Sequence, residues 1–418
     1  MAFTTLLLQH TAMKKILLLS VILPVSVIAF AQFKNDNVLY RTIFPQYLCD
    51  ELKNSKGYLL LDVRSKGEYE DTSSAAVYNL GHLQNAVNIN VRELGNRLPE
   101  IAAYKNKPVY VYCSHSQRSR RASKMLSDSG FTNIINVNGG VTAFRQLPEE
   151  NCLNKLLLTN VGYKIISARA LCEKLSGNRS KLFLLDVRSD SAFRHIDKAA
   201  NVNALGSFKN SVNIPLAELK KRIAEVSLDK EIIVIDLFGD DAAKASAMLY
   251  ENNYRNVSML LEGVDRIFFT DSRELTCLQS SYNSPVKYRL LSTPDFDRFM
   301  KEHPDYLALD IRPAEEFNNK AKDFWKNIGH LQHAVNIPVD QLATNTGSIE
   351  KFKNKPVVLY AFSGNPEVHE AANILMSKGF TDVSVLTGGI FNIRWTAGNV
   401  EGYSALSKLL ADVPAENQ

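Results

Sequence analysis

Residues 107–126 read Lys107-Pro108-Val109-Tyr110-Val111-Tyr112-Cys113-Ser114-His115-Ser116-Gln117-Arg118-Ser119-Arg120-Arg121-Ala122-Ser123-Lys124-Met125-Leu126. The unbroken apolar run from Val109 to Tyr112 is typical of a strand covered on both faces, as in a parallel sheet. From Arg118 onward, helix-forming residues carry apolar side chains at the i, i+3, i+4 spacing of one buried face. The stretch therefore predicts a buried strand, a polar turn that begins at Cys113, and a helix.

The position of Cys113 makes it a candidate nucleophile. Free backbone N–H groups and the positive end of the helix dipole converge on a turn that precedes a helix. Arg118 adds a fixed positive charge, so the turn favours the thiolate, which is the nucleophilic form of cysteine. The alternative is a small cysteine that merely packs at a strand end. Five polar residues between the strand and the helix favour the nucleophile.

One motif occurs three times along the chain. The runs Leu61-Asp62-Val63-Arg64, Leu185-Asp186-Val187-Arg188 and Leu309-Asp310-Ile311-Arg312 each close an apolar stretch, and their aspartates are 124 positions apart in both intervals. Such a regular period indicates duplicated units. In each unit short apolar strands alternate with amphipathic helices, which predicts an α/β fold with a parallel sheet and helices on both faces.

These motifs together resemble those of the rhodanese-like sulfurtransferases. The resemblance rests on Cys113-x-x-x-x-Arg118-Ser119 after a strand, on the Asp-Val-Arg motifs, and on Gly81-His82-Leu83-Gln84-Asn85-Ala86-Val87-Asn88-Ile89 with its counterpart at 329–337. It rests also on the ends of the units, which are Gly139-Gly140, Glu262-Gly263 and Gly388-Gly389. It implies three tandem rhodanese-like domains, at residues 38–150, 160–275 and 288–415, with linkers near residues 150–160 and 275–288.

The resemblance also implies an activity and a set of site residues. We expect a sulfurtransferase in which Cys113 takes a sulfane sulfur from thiosulfate or a persulfide and passes it, as a cysteine persulfide, to a thiophilic acceptor such as cyanide or a thiol. The substrate-binding loop is then Ser114, His115, Ser116, Gln117, Arg118 and Ser119. Ser116 stands where the family often has glycine. No metal or organic cofactor is expected, and Asp62 and Arg64 are interpreted as supporting residues that hold a loop.

The other two units lack the nucleophile. Alignment on the lysine before each strand places Asp236 and Ala361 at the position of Cys113. Carboxylates in the second loop would repel an anionic sulfur donor. Asp236, Asp240 and Asp241 could bind a cation, but helix capping by an aspartate explains them more simply. The third loop is one residue longer than its counterparts. Both units are therefore expected to act as scaffolds, shields or docking surfaces.

The remaining cysteines also follow the repeat. Cys49 and Cys172 lie on predicted helices before the Asp-Val-Arg motifs, Cys152 and Cys277 follow the terminal glycines, and the third unit has neither member. Paired presence and paired absence suggest the disulfides Cys49–Cys152 and Cys172–Cys277, which an exported location permits. Buried helix cysteines with two linker thiols are the alternative.

The amino terminus resembles a secretory signal peptide, residues 1–31, with a true start that could be Met13. Lys14 and Lys15 precede a short apolar run that contains Pro24 and ends in Ala29-Phe30-Ala31. The protein is therefore expected to be exported, periplasmic or secreted, and free of the membrane after cleavage; an uncleaved anchor is the alternative.

A net charge of +5, or +3 without the two lysines, indicates no nucleic-acid partner.

Two other functions stay open at this point. A non-enzymatic scaffold, with partners bound through domains 2 and 3 and Cys113 only sensing or carrying sulfur, fits the two degenerate units. A phosphatase fits less well, because the family's phosphatases use a loop one residue longer than the four residues between Cys113 and Arg118.

Overall fold

The computed structural model describes residues 39–414. The predicted signal peptide, residues 1–31, lies outside this range. Within the range, no helix is both long and apolar enough to span a bilayer.

Domain 1 begins with a strand and a helix that starts at Pro45, where the fixed φ of proline suits the first helical turn. A capping box begins its second helix, since the side chains of Ser65 and Glu68 each accept the backbone N–H of the other residue. Its strands are β1 (Arg41–Ile43), β2 (Leu59–Asp62), β3 (His82–Leu83), β4 (Val87–Asn88), β5 (Val109–Tyr112), β6 (Ile134–Val137) and β7 (Leu157–Leu158), and its helices are α1 (Pro45–Asn54), α2 (Lys66–Tyr69), α3 (Leu94–Arg97), α4 (Gln117–Asp128), α5 (Gly140–Phe144) and α6 (Cys152–Leu156), with 3₁₀ turns at Ala76–Tyr78 and Leu98–Tyr104.

Domain 2 repeats this order of elements. Its strands are β8 (Lys164–Ile166), β9 (Leu182–Asp186), β10 (Ser207–Phe208), β11 (Val212–Asn213), β12 (Glu231–Ile235), β13 (Val257–Leu260) and β14 (Tyr282–Asn283), and its helices are α7 (Ala168–Ser176), α8 (Asp190–Phe193), α9 (Ala200–Ala204), α10 (Leu216–Arg222), α11 (Asp240–Glu251), α12 (Gly263–Ile267) and α13 (Leu278–Ser281), with 3₁₀ turns at Arg179–Lys181, Ile223–Glu225 and Ser272–Glu274.

Domain 3 repeats the order a third time. Its strands are β15 (Arg289–Leu291), β16 (Leu307–Asp310), β17 (His330–Leu331), β18 (Val335–Asn336), β19 (Val357–Tyr360), β20 (Val383–Leu386) and β21 (Leu410–Ala411), and its helices are α14 (Thr293–Glu302), α15 (Ala314–Phe317), α16 (Val339–Leu342), α17 (Pro366–Ser377) and α18 (Gly389–Asn399), with 3₁₀ turns at Phe324–Lys326, Thr346–Phe352 and Ser404–Leu409.

Each domain is built on a five-stranded parallel sheet. In domain 1 the strand order is β1-β6-β5-β2-β4, and the sheets of domains 2 and 3 follow the same order with their corresponding strands. Strand β5 lies between β2 and β6, with Asp62 opposite Tyr112. The carboxyl ends of β2 and β5 therefore meet at one edge, where parallel sheets commonly bind ligands.

Both faces of each sheet are covered, as the continuous apolar strands predict. Along β5, Tyr110 and Tyr112 pack with side chains of α1 and α5, whereas Val109 and Val111 pack with those of α4. Cys113 continues the second row. The alternation explains why the strand needs apolar residues at every position.

The segments expected to be linkers carry secondary structure. β7 pairs antiparallel with β3, and β14 pairs in the same way with β10. The chain between domains is thus fastened to the domain that it leaves.

The three domains form a closed cycle of contacts. Domain 1 meets domain 2 where Leu261 joins the apolar cluster of Phe144 and Leu153. Domain 2 meets domain 3 where the Thr387 hydroxyl donates to the carbonyl oxygen of Phe268 at 2.6 Å.

Domain 3 returns to domain 1 at the corresponding position, where the Asn138 amide donates to the carbonyl oxygen of Asn399 at 2.9 Å. Asn138, Leu261 and Thr387 each follow the last strand of their sheet, so the same corner of each domain contacts the preceding one. A cavity of about 560 Å³ lies where the three domains meet, and none of its lining residues belongs to the loop 113–119.

Candidate active site

Cys113 lies between the end of β5 and the start of α4, as the sequence predicts. Helix α5 packs directly beneath this loop, because the N–H groups of Val141 and Thr142 donate to the carbonyl oxygens of Cys113 and Ser114 at 2.9 and 3.0 Å. The approach requires Gly140, where an added Cβ would lie 2.1 Å from the Cys113 oxygen. The terminal glycine pair therefore seats α5 against the loop, a role that sequence analysis did not assign.

The Cys113 thiol is enclosed and forms a hydrogen bond with a serine. The residue is 1% exposed, and Sγ lies 3.7 Å from Ser119 Oγ, to which it donates. The Ser119 hydroxyl in turn donates to the carbonyl oxygen of Ser116 at 2.9 Å. After loss of the thiol proton, the same hydroxyl can rotate and donate to the sulfur. Cys113 is the free cysteine of the described chain.

Serines fix the shape of the loop. Ser116, which replaces the glycine often found in the family, is buried; its hydroxyl donates to the His115 carbonyl oxygen and accepts the N–H of Gly139 at 2.9 Å. Ser114 Oγ accepts a hydrogen bond from Arg118 at 2.8 Å. Gln117, also predicted to bind substrate, is exposed in the first turn of α4.

Arg118 is paired with a carboxylate that sequence analysis missed. Its Nη1 and Nη2 atoms donate to the two oxygens of Glu68 at 2.6 and 2.7 Å. Burial acts to raise the pKa of Glu68, but the hydrogen bonds and charge of Arg118 outweigh it and lower that pKa to about 2. The Ser65-x-x-Glu68 pattern after the first Asp-Val-Arg motif was the available signal, since a capping box fixes a glutamate in the first helical turn.

A second domain reaches the loop at His115. The His115 ring Nε2 lies 3.2 Å from Oε1 of Glu262, the residue that precedes α12 of domain 2. The other ring nitrogen, Nδ1, lies 3.1 Å from Ser114 Oγ. His115 is thus held between its own loop and another domain, which a single-domain interpretation could not anticipate.

Asp62 and Arg64 form a buried pair behind the loop. The Asp62 carboxylate accepts the backbone N–H of Arg64 at 3.0 Å and two bonds from its guanidinium, which also donates to the Gly81 carbonyl oxygen at 2.6 Å. The pairs Asp186–Arg188 and Asp310–Arg312 repeat this arrangement in full. Because it occurs with and without a cysteine, the arrangement supports the fold of every domain.

In domain 2, Asp236 caps its own loop. Its oxygens accept the N–H groups of Gly239 and Asp241 at 2.7 and 2.9 Å. Burial raises the pKa of Asp236 to about 6, although these N–H groups act in the opposite direction. The described residues contain no cluster of three or more acidic, histidine or cysteine side chains suited to a metal. Helix capping is therefore the interpretation that the contacts support.

In domain 3 the loop is longer and has no thiol. Helix α17 begins at Pro366, five residues after Ala361, whereas α4 and α11 begin four residues after Cys113 and Asp236. This confirms the predicted extra residue. Ser363 Oγ donates to the side chain of Asn365 within the loop.

The other four cysteines are joined in pairs. Disulfides connect Cys49 to Cys152 and Cys172 to Cys277, with Cα atoms 6.3 and 5.4 Å apart. These are the pairs suggested by the repeat. Each one fastens the first helix of its domain to the segment that leaves the domain.

The model of the rhodanese-like domain matches the chain three times, at residues 45–147, 167–268 and 294–394. The chain belongs to the rhodanese-like family. Each match covers four of the five strands of one parallel sheet, so the rhodanese-like fold accounts for most of the chain.

Individual relatives match single domains of this rhodanese-like protein. An uncharacterized protein, YqhL of Bacillus subtilis, is 41% identical over 81 residues, or 19% of this chain and 56% of the relative. The thiosulfate sulfurtransferase PspE of Escherichia coli is 36% identical over 62 residues, or 15% of this chain and 60% of the relative. The chain thus spans a little over half the length of these two relatives.

A solved structure of a thiosulfate sulfurtransferase from Pseudomonas aeruginosa aligns over 83% of this chain and 66% of its own, with 17% sequence identity and a TM-score of 0.22.

Proposed function

We propose that this protein is an exported sulfurtransferase that carries sulfur as a persulfide on Cys113. The observation that carries the proposal is the setting of Cys113, a free thiol held at the carboxyl end of a central strand and the start of a helix. Membership of the rhodanese-like family and the resemblance to a thiosulfate sulfurtransferase support a sulfur-transfer role.

In the first step the Cys113 thiolate attacks the outer sulfur of the donor. A new S–S bond forms at Cys113, and the electron pair of the donor's own S–S bond leaves with sulfite from thiosulfate, or with a thiolate from a persulfide. Charge and atoms balance, because one anionic sulfur replaces another on the protein. Ser119 and the N–H groups at the start of α4 stabilise the sulfur anion.

In the second step the acceptor removes the outer sulfur of the Cys113 persulfide. Cyanide leaves as thiocyanate and a thiolate leaves as a persulfide, while the bonding pair returns to Cys113 as its thiolate. The tight loop, fixed by Ser116 and by the N–H groups of α5, keeps the sulfur in place between the two steps.

Domains 2 and 3 serve as scaffolds in this proposal. Domain 2 has Asp236 and domain 3 has Ala361 where a nucleophile would stand, and both domains contact domain 1 close to its loop. They could also bind a protein partner, which would supply or accept the sulfur. Export after signal cleavage agrees with the two disulfides, because oxidising compartments permit them.

The decisive experiment is the intact mass of the mature protein after incubation with thiosulfate or with cysteine persulfide, beside the Cys113→Ala variant. A gain of about 32 Da, one sulfur atom, in the wild type alone would support the proposal. Ser363→Ala is the matched control, because it alters the corresponding loop of domain 3. If neither donor leaves sulfur on the wild type, the scaffold function is favoured instead.

A further inference from the structure

Glu262 has an unusual backbone conformation at the boundary of domains 1 and 2. Its φ of +58° places it in the left-handed region, which disfavours residues that carry a side chain. The corresponding residues in domains 1 and 3 are glycines, Gly139 and Gly388, at φ of +78° and +73°. Domain 2 thus accepts local strain in order to place a side chain here, and such strain often marks a functional position.

The side chain of Glu262 is directed at the Cys113 loop. One carboxylate oxygen lies 3.2 Å from His115 Nε2, and the other accepts a hydrogen bond from the Gln146 amide at 3.3 Å. Arg266 lies 3.5 Å from the second oxygen and also donates to Gln146. Glu262 is therefore held by residues of both domains.

Glu262 is ionised near neutral pH. Burial acts to raise its pKa, but the hydrogen bond of His115 and the charge of Arg266 outweigh burial and leave the pKa below its ordinary value. A carboxylate is an acceptor only, so it can hold His115 in one orientation.

Two ion pairs beside the loop are each neutral. Arg118 is neutralised by Glu68, and Arg266 by Glu262, so these four groups sum to zero before the Cys113 thiolate is counted. With the Cys113 thiolate, these five groups carry one net negative charge, which a dianionic donor must approach. Repulsion grows with the charge of the donor, and it is stronger in a partly buried site than in water.

We propose that Glu262 is a specificity-determining residue that domain 2 contributes to the Cys113 site, and that it disfavours the thiosulfate dianion relative to monoanionic sulfur donors such as an alkyl persulfide. This rests on the proposed sulfur transfer. The chemistry is unchanged: Cys113 forms the new S–S bond, and the donor's S–S electron pair leaves with sulfite from thiosulfate, with sulfinate from a thiosulfonate or with a thiolate from a persulfide. Glu262 acts through His115 and through its charge, and takes no part in bond formation.

The test compares two donors that share a reacting S–S bond but differ in charge. Thiosulfate carries two negative charges and methanethiosulfonate carries one, with cyanide as the acceptor and thiocyanate as the measured product. In Glu262→Gln, kcat/KM for thiosulfate should rise about tenfold and that for methanethiosulfonate about threefold, because the electrostatic effect scales with donor charge. Both increases should shrink at high salt.

Glu262→Gly is the second variant. Glycine occupies the corresponding position in the other two domains and suits a positive φ. We therefore expect this variant to fold even if glutamine disturbs the backbone at position 262. Glu251→Gln is the matched control, since it removes the same charge from an exposed position of domain 2 and should leave both donors unchanged.

The outcomes separate the two proposals. A donor preference that stays constant in both Glu262 variants, while the wild type still gains sulfur at Cys113, overturns the role of Glu262 alone. A parallel change in kcat for both donors, without a change in their ratio, indicates a structural role and also overturns it. If the wild type gains sulfur from neither donor, the sulfur-transfer proposal fails, and the role of Glu262 fails with it.

Discussion

The guanidinium of Arg118 is bound to the carboxylate of Glu68 through two parallel hydrogen bonds, which join the first turn of α4 to α2 across the loop of Cys113. Paired geometry of this kind is among the stronger side-chain interactions in proteins. Arg118 is a third exposed and Glu68 is nearly enclosed, so the pair combines an anchored carboxylate with an accessible cation. The ion pair thereby connects α2, which follows β2, to α4, which follows β5.

Glu68→Gln should destabilise the protein by about 2 kcal/mol at pH 7, since it leaves Arg118 without its partner; the exposure of Arg118 keeps the loss below that of a fully buried pair. Because the folded-state pKa of Glu68, about 2, is below its ordinary value of 4.5, the stabilisation is present above pH 4.5 and is lost as the pH falls toward 2. Urea unfolding of both proteins should therefore show a difference that narrows in this window.

Glu316→Gln is the control for effects that reach the Cys113 loop. Glu316 is the corresponding residue of domain 3 and pairs with Lys326 at 3.0 Å, remote in sequence from Cys113. It should alter stability without altering the rate of sulfur uptake. If Glu68→Gln lost the same unfolding free energy at pH 3 and at pH 7, the lowered pKa of Glu68 would be contradicted.

Ser119→Ala should slow persulfide formation on Cys113 about tenfold, because a hydrogen bond to an ionised sulfur contributes roughly 1.5 kcal/mol. The measurement is the rate of the mass gain with thiosulfate at a fixed pH. Ser123→Ala is the matched control: the residue is buried on the same helix, and its hydroxyl has no hydrogen-bond partner within the described chain. Equal rates for the two variants would exclude a role for the Ser119 hydroxyl.

The disulfides should stabilise domains 1 and 2. Each joins residues more than a hundred positions apart, 103 for Cys49–Cys152 and 105 for Cys172–Cys277, so each restricts the unfolded chain strongly. We expect the double variant Cys49→Ala/Cys152→Ala to lose about 2–4 kcal/mol of unfolding free energy. Peptide mapping without reductant should recover both linked pairs, and four free thiols would refute the pairing.

Asp236→Asn should reveal a proton bound within domain 2. The folded-state pKa of Asp236, about 6, is above its ordinary value of 3.8, so its protonated form contributes stability that is present below pH 3.8 and is lost as the pH rises through 6. The variant does not titrate here. Its stability relative to the wild type should therefore increase by about 2–3 kcal/mol between pH 4 and pH 7.

The informative quantity is the slope of the stability difference against pH. The amide also removes one acceptor of the Asp241 N–H, and this loss lowers the stability of the variant by the same amount at every pH. A difference that is independent of pH would show that Asp236 is ionised throughout the range.

Sequence reasoning reached the fold because its signals are local. The Asp-Val-Arg motifs, the apolar strands and the glycine pairs each specify one turn or one strand, and their period of 124 residues shows the duplication. The position of Cys113 in the fold was predictable for the same reason, since the strand, the turn and the helix that hold it are contiguous. The extra residue before Pro366 was likewise a matter of counting along the chain.

Contacts between separate domains were beyond that reasoning. Nothing within residues 107–126 indicates that His115 meets Glu262, almost 150 positions away, or that Asn138 bonds to the end of α18. Such pairs depend on how whole sheets pack. One signal was available. Domains 1 and 3 end in a glycine pair, whereas domain 2 has Glu262-Gly263, so a residue with a side chain stands at a turn that glycine occupies in the other two domains.

The closed cycle of domain contacts also changes what the covalent order of the domains means. Because domain 3 touches domain 1 as domain 2 touches domain 3, the peptide connections are not the sole ties that keep the units together. A protease cut between β14 and β15 would leave the fragments associated, and a circular permutant that begins at domain 2 could rebuild the same assembly. Because each domain contacts both of the others, the separation of any one domain requires two interfaces to break.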